Sequence, residues 1–228
     1  MTTPAAGTGP AGTEPVATSS GPADPAGADP ARPEVPPPGH EGFAAALDRV
    51  RHELGALDLA VYDAVAGTPS PTIDAALARV SNAANHSKLW LVTAGVVSLF
   101  GRDQRRSALV ALAAVGATSA IGNLAVKPAL SRGRPERTES SRTHKVRMPE
   151  SHSFPSGHAA SAFAFSSALG AEIPSLATPL RLMATTVAYS RVHTGVHYPG
   201  DVVIGALIGA GLGTGTRLLA RRVAVSGR

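Results

Sequence analysis

The sequence predicts an all-α protein, an integral membrane helical bundle of about five to six helices preceded by a disordered tail. Three observations carry that expectation. Apolar residues fall in helix-length blocks, from Leu89 to Gly101, Ser107 to Val126, Ala159 to Ala171, Leu182 to Tyr189 and Val202 to Thr216. Alanine, glycine and serine are frequent within the blocks, as expected where helices associate by close packing rather than by escape from water. Gly205, Gly209 and Gly213 recur every four residues, leaving a flat stripe against which another helix can lie.

Taken in order, the chain begins with a segment that has little means of folding. Residues 1–41 hold ten of the 19 prolines, with almost no large apolar side chain, so they cannot bury enough surface to offset their ordering entropy. They lack the basic start and apolar run of a cleavable signal peptide. Glu14, Asp24, Asp29, Glu34 and Glu41 stand against Arg32 alone, so this tail is acidic while the remainder is basic. A tether or spacer is the expected role.

From Phe43 the pattern changes, with Phe43, Leu47, Val50, Leu54, Leu57, Val61 and Val65 at three- and four-residue steps and Asp48, Arg49, Arg51, Glu53 and Asp63 elsewhere on the wheel. That spacing predicts an amphipathic helix. It can lie at a membrane interface, pair with a copy of itself, or pack on its own domain. The run Gly67-Thr68-Pro69-Ser70-Pro71 breaks it, and a second short helix carrying Ile73, Leu77 and Val80 follows. The expected division is therefore a tail, residues 1–41, an amphipathic segment, residues 42–84, and a membrane domain, residues 85–228.

Of the apolar blocks, Ser107 to Val126 alone reaches the roughly 20 residues of a bilayer span; the others need flanking polar residues to complete a crossing. Buried helices of a soluble all-α protein remain the alternative, because short apolar runs do not separate the two. Arg102, Arg105 and Arg106 between the first two blocks, and Arg217, Arg221, Arg222 and Arg228 after the last, belong on the cytoplasmic side. Residues 127–157 and 190–201 then face the extracytoplasmic side, in a multi-pass protein of the cell membrane.

Composition limits the chemistry. The chain has no cysteine, which excludes disulfides, thiolate nucleophiles and zinc–thiolate sites. A net charge of +5 suits an anionic partner, and with aromatics at 4% there are few platforms for stacking bases, so the expected partner is acidic lipid and the bilayer, not nucleic acid.

The stretch Ser190-Arg191-Val192-His193-Thr194-Gly195-Val196-His197-Tyr198-Pro199-Gly200-Asp201 offers a fixed cation, an imidazole able to attack, and a carboxylate four residues beyond it. Helical spacing lets Asp201 fix the tautomer of His197, and arginine is the side chain best matched to phosphate oxygens, which points to phosphoryl chemistry. Two further clusters carry polar chemistry: Lys127-Pro128-Ala129-Leu130-Ser131-Arg132-Gly133-Arg134-Pro135, and Pro155-Ser156-Gly157-His158 immediately before an apolar helix.

Lys with six residues to Arg-Pro, then Pro-Ser-Gly-His, then Ser-Arg with five residues to His and three more to Asp, resembles the type 2 phosphatidic acid phosphatase superfamily, which also includes bacterial acid phosphatases and vanadium haloperoxidases. The resemblance covers residues 85 to 216, with no departure at a motif position. It implies that His197 attacks phosphorus to form a phosphohistidine, oriented by Asp201, while His158 protonates the leaving alkoxide and then takes a proton from the hydrolytic water. Lys127, Arg134 and Arg191 neutralise phosphate oxygens, and Ser156 and Gly157 meet them at a helix start. No cofactor and no metal is implied. The expected reaction is hydrolysis of the phosphomonoester or pyrophosphate of a membrane lipid. Phosphatidic acid, phosphatidylglycerol phosphate, polyprenyl phosphate and polyprenyl pyrophosphate all satisfy the motifs.

The competing readings are specific. A vanadate-dependent haloperoxidase could use the same pocket, and a non-catalytic phospholipid-binding or translocating protein could keep it silent. His158, His197 and Asp201 could bind a metal, although the surrounding Lys and Arg repel a divalent cation. His193 lacks a carboxylate four residues on and is read as a supporting or packing residue. His144 and His152 are read as solvated, and Arg132, Arg137, Arg142, Lys145 and Arg147 as wet surface or substrate-steering charge.

Overall fold

The computed structural model describes residues 42–66, 70–129, 132–135 and 146–226. All the regular structure among them is helical: α1 (Phe43–Ala66), α2 (Pro71–Ala83), α3 (Lys88–Ser98), α4 (Arg102–Ile121), α5 (Gly157–Glu172), α6 (Ala177–His193) and α7 (Pro199–Ser226). The tail, residues 1–41, and His144, Arg137, Arg142 and Lys145 lie outside the described residues.

Each boundary follows from local chemistry. Pro71 and Pro199 open α2 and α7, where a missing N–H costs nothing and the fixed φ is already helical. Ser156 caps α5, its hydroxyl accepting from the Ala159 N–H at 3.4 Å. Gly195, at φ 66°, ends α6: its N–H donates to the Val192 carbonyl at 2.9 Å and the chain turns back. Past Ile121, α4 continues through a π-helical turn, Gly122–Val126, into the short helix Lys127–Ala129.

Helix α5 is the centre of the bundle, packed against α7, α4 and α6. The glycine stripe does what its spacing predicts. A Cβ on Gly205 would stand 2.5 Å from the Ser156 carbonyl oxygen, and one on Gly209 or Gly213 would be closer still to the carbonyls of Ala160 and Ala164. The interior is mostly small, including Ala94, Ala108, Ala111, Ala114, Ala162, Ala168 and Ala184, with the Trp90 and Phe165 rings 5.2 Å apart. Large apolar residues face outward, among them Leu99, Phe100, Leu124, Leu182 and Leu207. Among the described residues, two helical runs, Arg102–Val126 and Pro199–Ser226, are long and apolar enough to cross a membrane.

Helix α1 is present, but its apolar stripe is not its packing face. Leu47, Val50, Leu54, Leu57 and Val61 are exposed, whereas Asp58 and Tyr62 on the neighbouring face are buried. Of the three roles its pattern allows, packing on its own domain is made by the Asp58 and Tyr62 face and not by most of the stripe.

Candidate active site

Four helix ends meet at one pole of the bundle: the continuation of α4 at Lys127, the start of α5, the end of α6 and the start of α7. The N-termini of α5 and α7 both open on this pole, with their unpaired N–H groups and positive dipole ends, so it favours an anion before any side chain is counted. The opposite pole carries Arg106, Arg217 and Arg221, where Glu172 accepts from Arg217 at 2.6 Å and from Arg221 at 2.8 Å.

The turn made by Gly195 returns the chain over its own helix. The Val196 and His197 N–H groups both donate to the Arg191 carbonyl at 3.2 Å, which locks His197 beside the end of α6. His197 is 3% exposed, with Nδ1 3.5 Å from Oδ2 of the fully buried Asp201 and Nε2 3.4 Å from Nη1 of Arg134. Arginine can only donate, so this contact fits a tautomer whose lone pair is on Nε2 and whose proton on Nδ1 faces the carboxylate.

Arg134 is fixed by the backbone. Its guanidinium donates to the Val196 carbonyl at 2.5 Å, to the Ser151 carbonyl at 2.8 Å and to the His152 carbonyl at 3.3 Å. Arg191 is almost wholly buried and donates from Nη1 to the Ser81 hydroxyl at 2.5 Å. The His158 Nε2 meets the Asn85 amide oxygen at 2.9 Å, which orients the ring. Ser156 is buried as the α5 cap, and its N–H donates to the Asp201 carbonyl at 2.9 Å, tying the start of α5 to the start of α7. Gly157 is exposed, and a Cβ there would meet nothing, so space rather than packing distinguishes it.

Electrostatics record the convergence. Burial, with Arg191 and Arg134, lowers His197 to about 4 against the opposing pull of Asp201. Lys127 is lowered by burial and by Arg134. All eight residues singled out from the motifs thus stand at this pole.

One expectation fails here. Arg132 is not wet surface. It is 34% exposed, its Nη1 lies 2.6 Å from Asp58 of α1 and 3.2 Å from Asp201, and its guanidinium covers the Tyr198 ring at 4.0 Å. Two carboxylates far apart in sequence converge on it, which a reading of the basic run alone could not anticipate. Asp58 also accepts the Gly200 N–H at 2.6 Å, and Tyr62 meets Tyr198 edge to face at 5.7 Å.

His193 is a buried supporting residue, as expected, but it does have a carboxylate: Asp74 of α2, 2.7 Å from Nε2. His152 and Arg147 are exposed, and Arg147 pairs with Glu150 at 3.1 Å. Sequence reasoning missed Asp58, Asp74, Ser81 and Asn85. The available signal was polar residues at helical spacing with the apolar ones: Asp74, Leu77, Ala78 and Ser81 form the buried face of α2.

A cationic pocket that holds a buried, carboxylate-oriented histidine at the pole of a helical bundle defines a phosphoryl-transfer site. The chain belongs to the PAP2 superfamily, whose family model matches residues 82–223. Decaprenylphosphoryl-5-phosphoribose phosphatase of Mycobacterium tuberculosis is 34% identical over 134 residues, 59% of this chain and 73% of that protein. The protein of the same description from Mycolicibacterium smegmatis is 35% identical over 150 residues, 64% of this chain and 78% of its own length. Two solved structures share the fold. Aquifex aeolicus LpxE aligns with a TM-score of 0.59 at 24% identity, over 70% of this chain and 94% of its own. The transmembrane PAP2 type phosphatidylglycerolphosphate phosphatase from Bacillus subtilis aligns with a TM-score of 0.60 at 22% identity, over 77% and 88%.

Proposed function

We propose that this chain is a membrane lipid phosphate phosphatase acting through a phosphohistidine on His197. The observation that carries the reading is the placement of that imidazole between Asp201 at 3.5 Å and Arg134 at 3.4 Å. The Nε2 lone pair attacks phosphorus, a P–N bond forms and the P–O bond to the alcohol breaks. Protonated His158 gives its proton to the departing oxygen. Water then attacks the phosphohistidine, His158 takes the proton, and phosphate leaves with Nε2 restored.

Lys127, Arg134 and Arg191 balance the phosphoryl oxygens, each charge-assisted bond contributing roughly 1.5 to 3 kcal/mol. Gly157, at the first turn of α5, lets an oxygen approach the backbone N–H groups, while Ser156 holds that turn in place through its cap. A phosphate dianion bound among these cations favours a positive charge beside it, so His158 is able to hold a proton when substrate binds.

The bundle is integral to the membrane, and its outward leucines and valines are its lipid surface. An alanine-rich interior beneath an aliphatic exterior suits a solvent as apolar as the side chains. The helices α3 to α7 are the crossing segments, and the basic pole at Arg106, Arg217 and Arg221 lies on the cytoplasmic side. The active site then faces the extracytoplasmic side. Among lipid phosphates, the mycobacterial relatives favour a polyprenyl-linked sugar phosphate. The test is phosphate release from a panel of lipid phosphates in detergent, with wild type against His197→Ala. Equal release by both proteins overturns the mechanism.

A further inference from the structure

A cavity of about 260 Å3 between α4, α5 and α7 adjoins the catalytic cluster. Lys127, Gly157 and His158 form its wall on the site side, and none of His197, Arg191 or Asp201 lines it. It therefore begins at the proton donor and runs away from the nucleophile. In an in-line displacement the departing oxygen is on the side opposite the attacking nitrogen. Resting on the phosphatase reading above, this cavity adjoins the residue that protonates the departing alcohol.

Its lining is unusual for a bundle of alanine and leucine. Four polar residues, Thr118, Ser119, Asn123 and Ser161, are among those that line it. Thr118 is 2% exposed, and its hydroxyl has no hydrogen-bond partner among the described residues. The threonines at 93, 186 and 214 each donate to the carbonyl four residues back, at 2.8 to 2.9 Å. A buried hydroxyl without a partner costs stability, so one left in this wall requires an explanation that the fold itself does not supply.

Backbone irregularity surrounds the same space. Gly122, Asn123 and Val126 of the π-helical turn line it, and such turns concentrate at functional sites. On another side it meets His86 and Ser87, consecutive residues in the left-handed region at φ 56° and 58°, a conformation that costs non-glycine residues about 1 kcal/mol or more each. Asn85, which holds His158, immediately precedes them.

We propose that this cavity is the subsite for the alcohol released in the reaction, and that Thr118, with Asn123 and Ser161, selects lipid phosphates whose alcohol carries hydroxyls near the ester oxygen, as a sugar does. The size fits such a group. At just under the roughly 300 Å3 where drug-sized pockets begin, the cavity has room for a pentose-sized headgroup.

The test compares kcat/KM for a prenyl-linked ribose 5-phosphate with that for phosphatidic acid, using the purified full chain in detergent. Thr118→Val, which keeps the volume and removes the hydroxyl, lowers the ratio about tenfold, and Thr118→Ser restores most of it. Asn123→Leu, on an exposed turn, shifts the ratio in the same direction and keeps the test decisive if the valine variant folds poorly. A ratio within about twofold of wild type in both variants overturns the inference, as does an equal loss on both substrates. Wild-type protein that releases no phosphate from either substrate overturns the phosphatase reading itself.

Discussion

A single guanidinium nitrogen of Arg132 joins Asp58 of α1, at 2.6 Å, to Asp201 of α7, at 3.2 Å. Asp201 is thereby held on both sides, since its other oxygen accepts the Tyr198 N–H at 3.0 Å and faces His197. Helix α1 precedes the matched family segment, yet it supplies the carboxylate that anchors the orienter of the nucleophile. Asp58→Asn keeps the acceptor for Gly200 and removes the charge, so kcat is expected to fall about tenfold with KM little changed. Steady-state kinetics check this, and a loss confined to KM counts against the assignment.

The two histidines of the same loop separate by function. His197→Ala removes the nucleophile and lowers phosphate release by about a thousandfold or more. Asp74→Ala leaves a buried His193 nitrogen without its partner, so it costs about 1 to 3 kcal/mol of stability while the catalytic pocket keeps all its members. Thermal unfolding and activity, measured on both variants, distinguish the two roles.

The pH dependence carries a definite sign. His197 is lowered from 6.5 to about 4, so between those values the unfolded chain binds a proton that the folded chain does not. This group's contribution is complete above pH 6.5, declines as pH falls, and stops changing below about 4. For the same reason the nucleophile stays neutral in weak acid, and the limb of kcat/KM that it sets lies near 4 rather than 6.5. Asp201→Asn removes the charge opposing that shift and moves this limb lower still, alongside a fall in kcat.

Packing along the glycine stripe is equally testable. A Cβ on Gly209 would collide with the Ala160 backbone of α5, which has no flexible end to yield. Gly209→Ala is expected to cost about 1 to 3 kcal/mol, against little change for Gly211→Ala, where a Cβ meets open space. Unfolding in detergent measures the difference.

The sequence revealed the helices and the catalytic residues for different reasons. Apolar blocks and the spacing of Gly205, Gly209 and Gly213 report local periodicity, which survives in one dimension. Lys127, Arg134, His158, Arg191, His197 and Asp201 were legible because their types and spacing form motifs. The supports were not: Asp58, Asp74, Ser81 and Asn85 act through contacts with residues far away in the chain, at positions where a polar side chain on a helix has no distinctive local signature. Which face of α1 docks was hidden likewise, because Asp58 and Tyr62 make that contact with Arg132 and Tyr198, which are distant in sequence, while Leu47, Leu54 and Leu57 stay exposed.

The central claim is the covalent intermediate on His197. Rapid mixing with a phosphate-labelled lipid substrate, followed by an alkaline quench in which phosphohistidine survives, traps it for peptide mapping. The account predicts label on the peptide containing His197, lost on acid treatment and absent from His197→Ala. Label on a different residue, or undiminished phosphate release by His197→Ala, would contradict it.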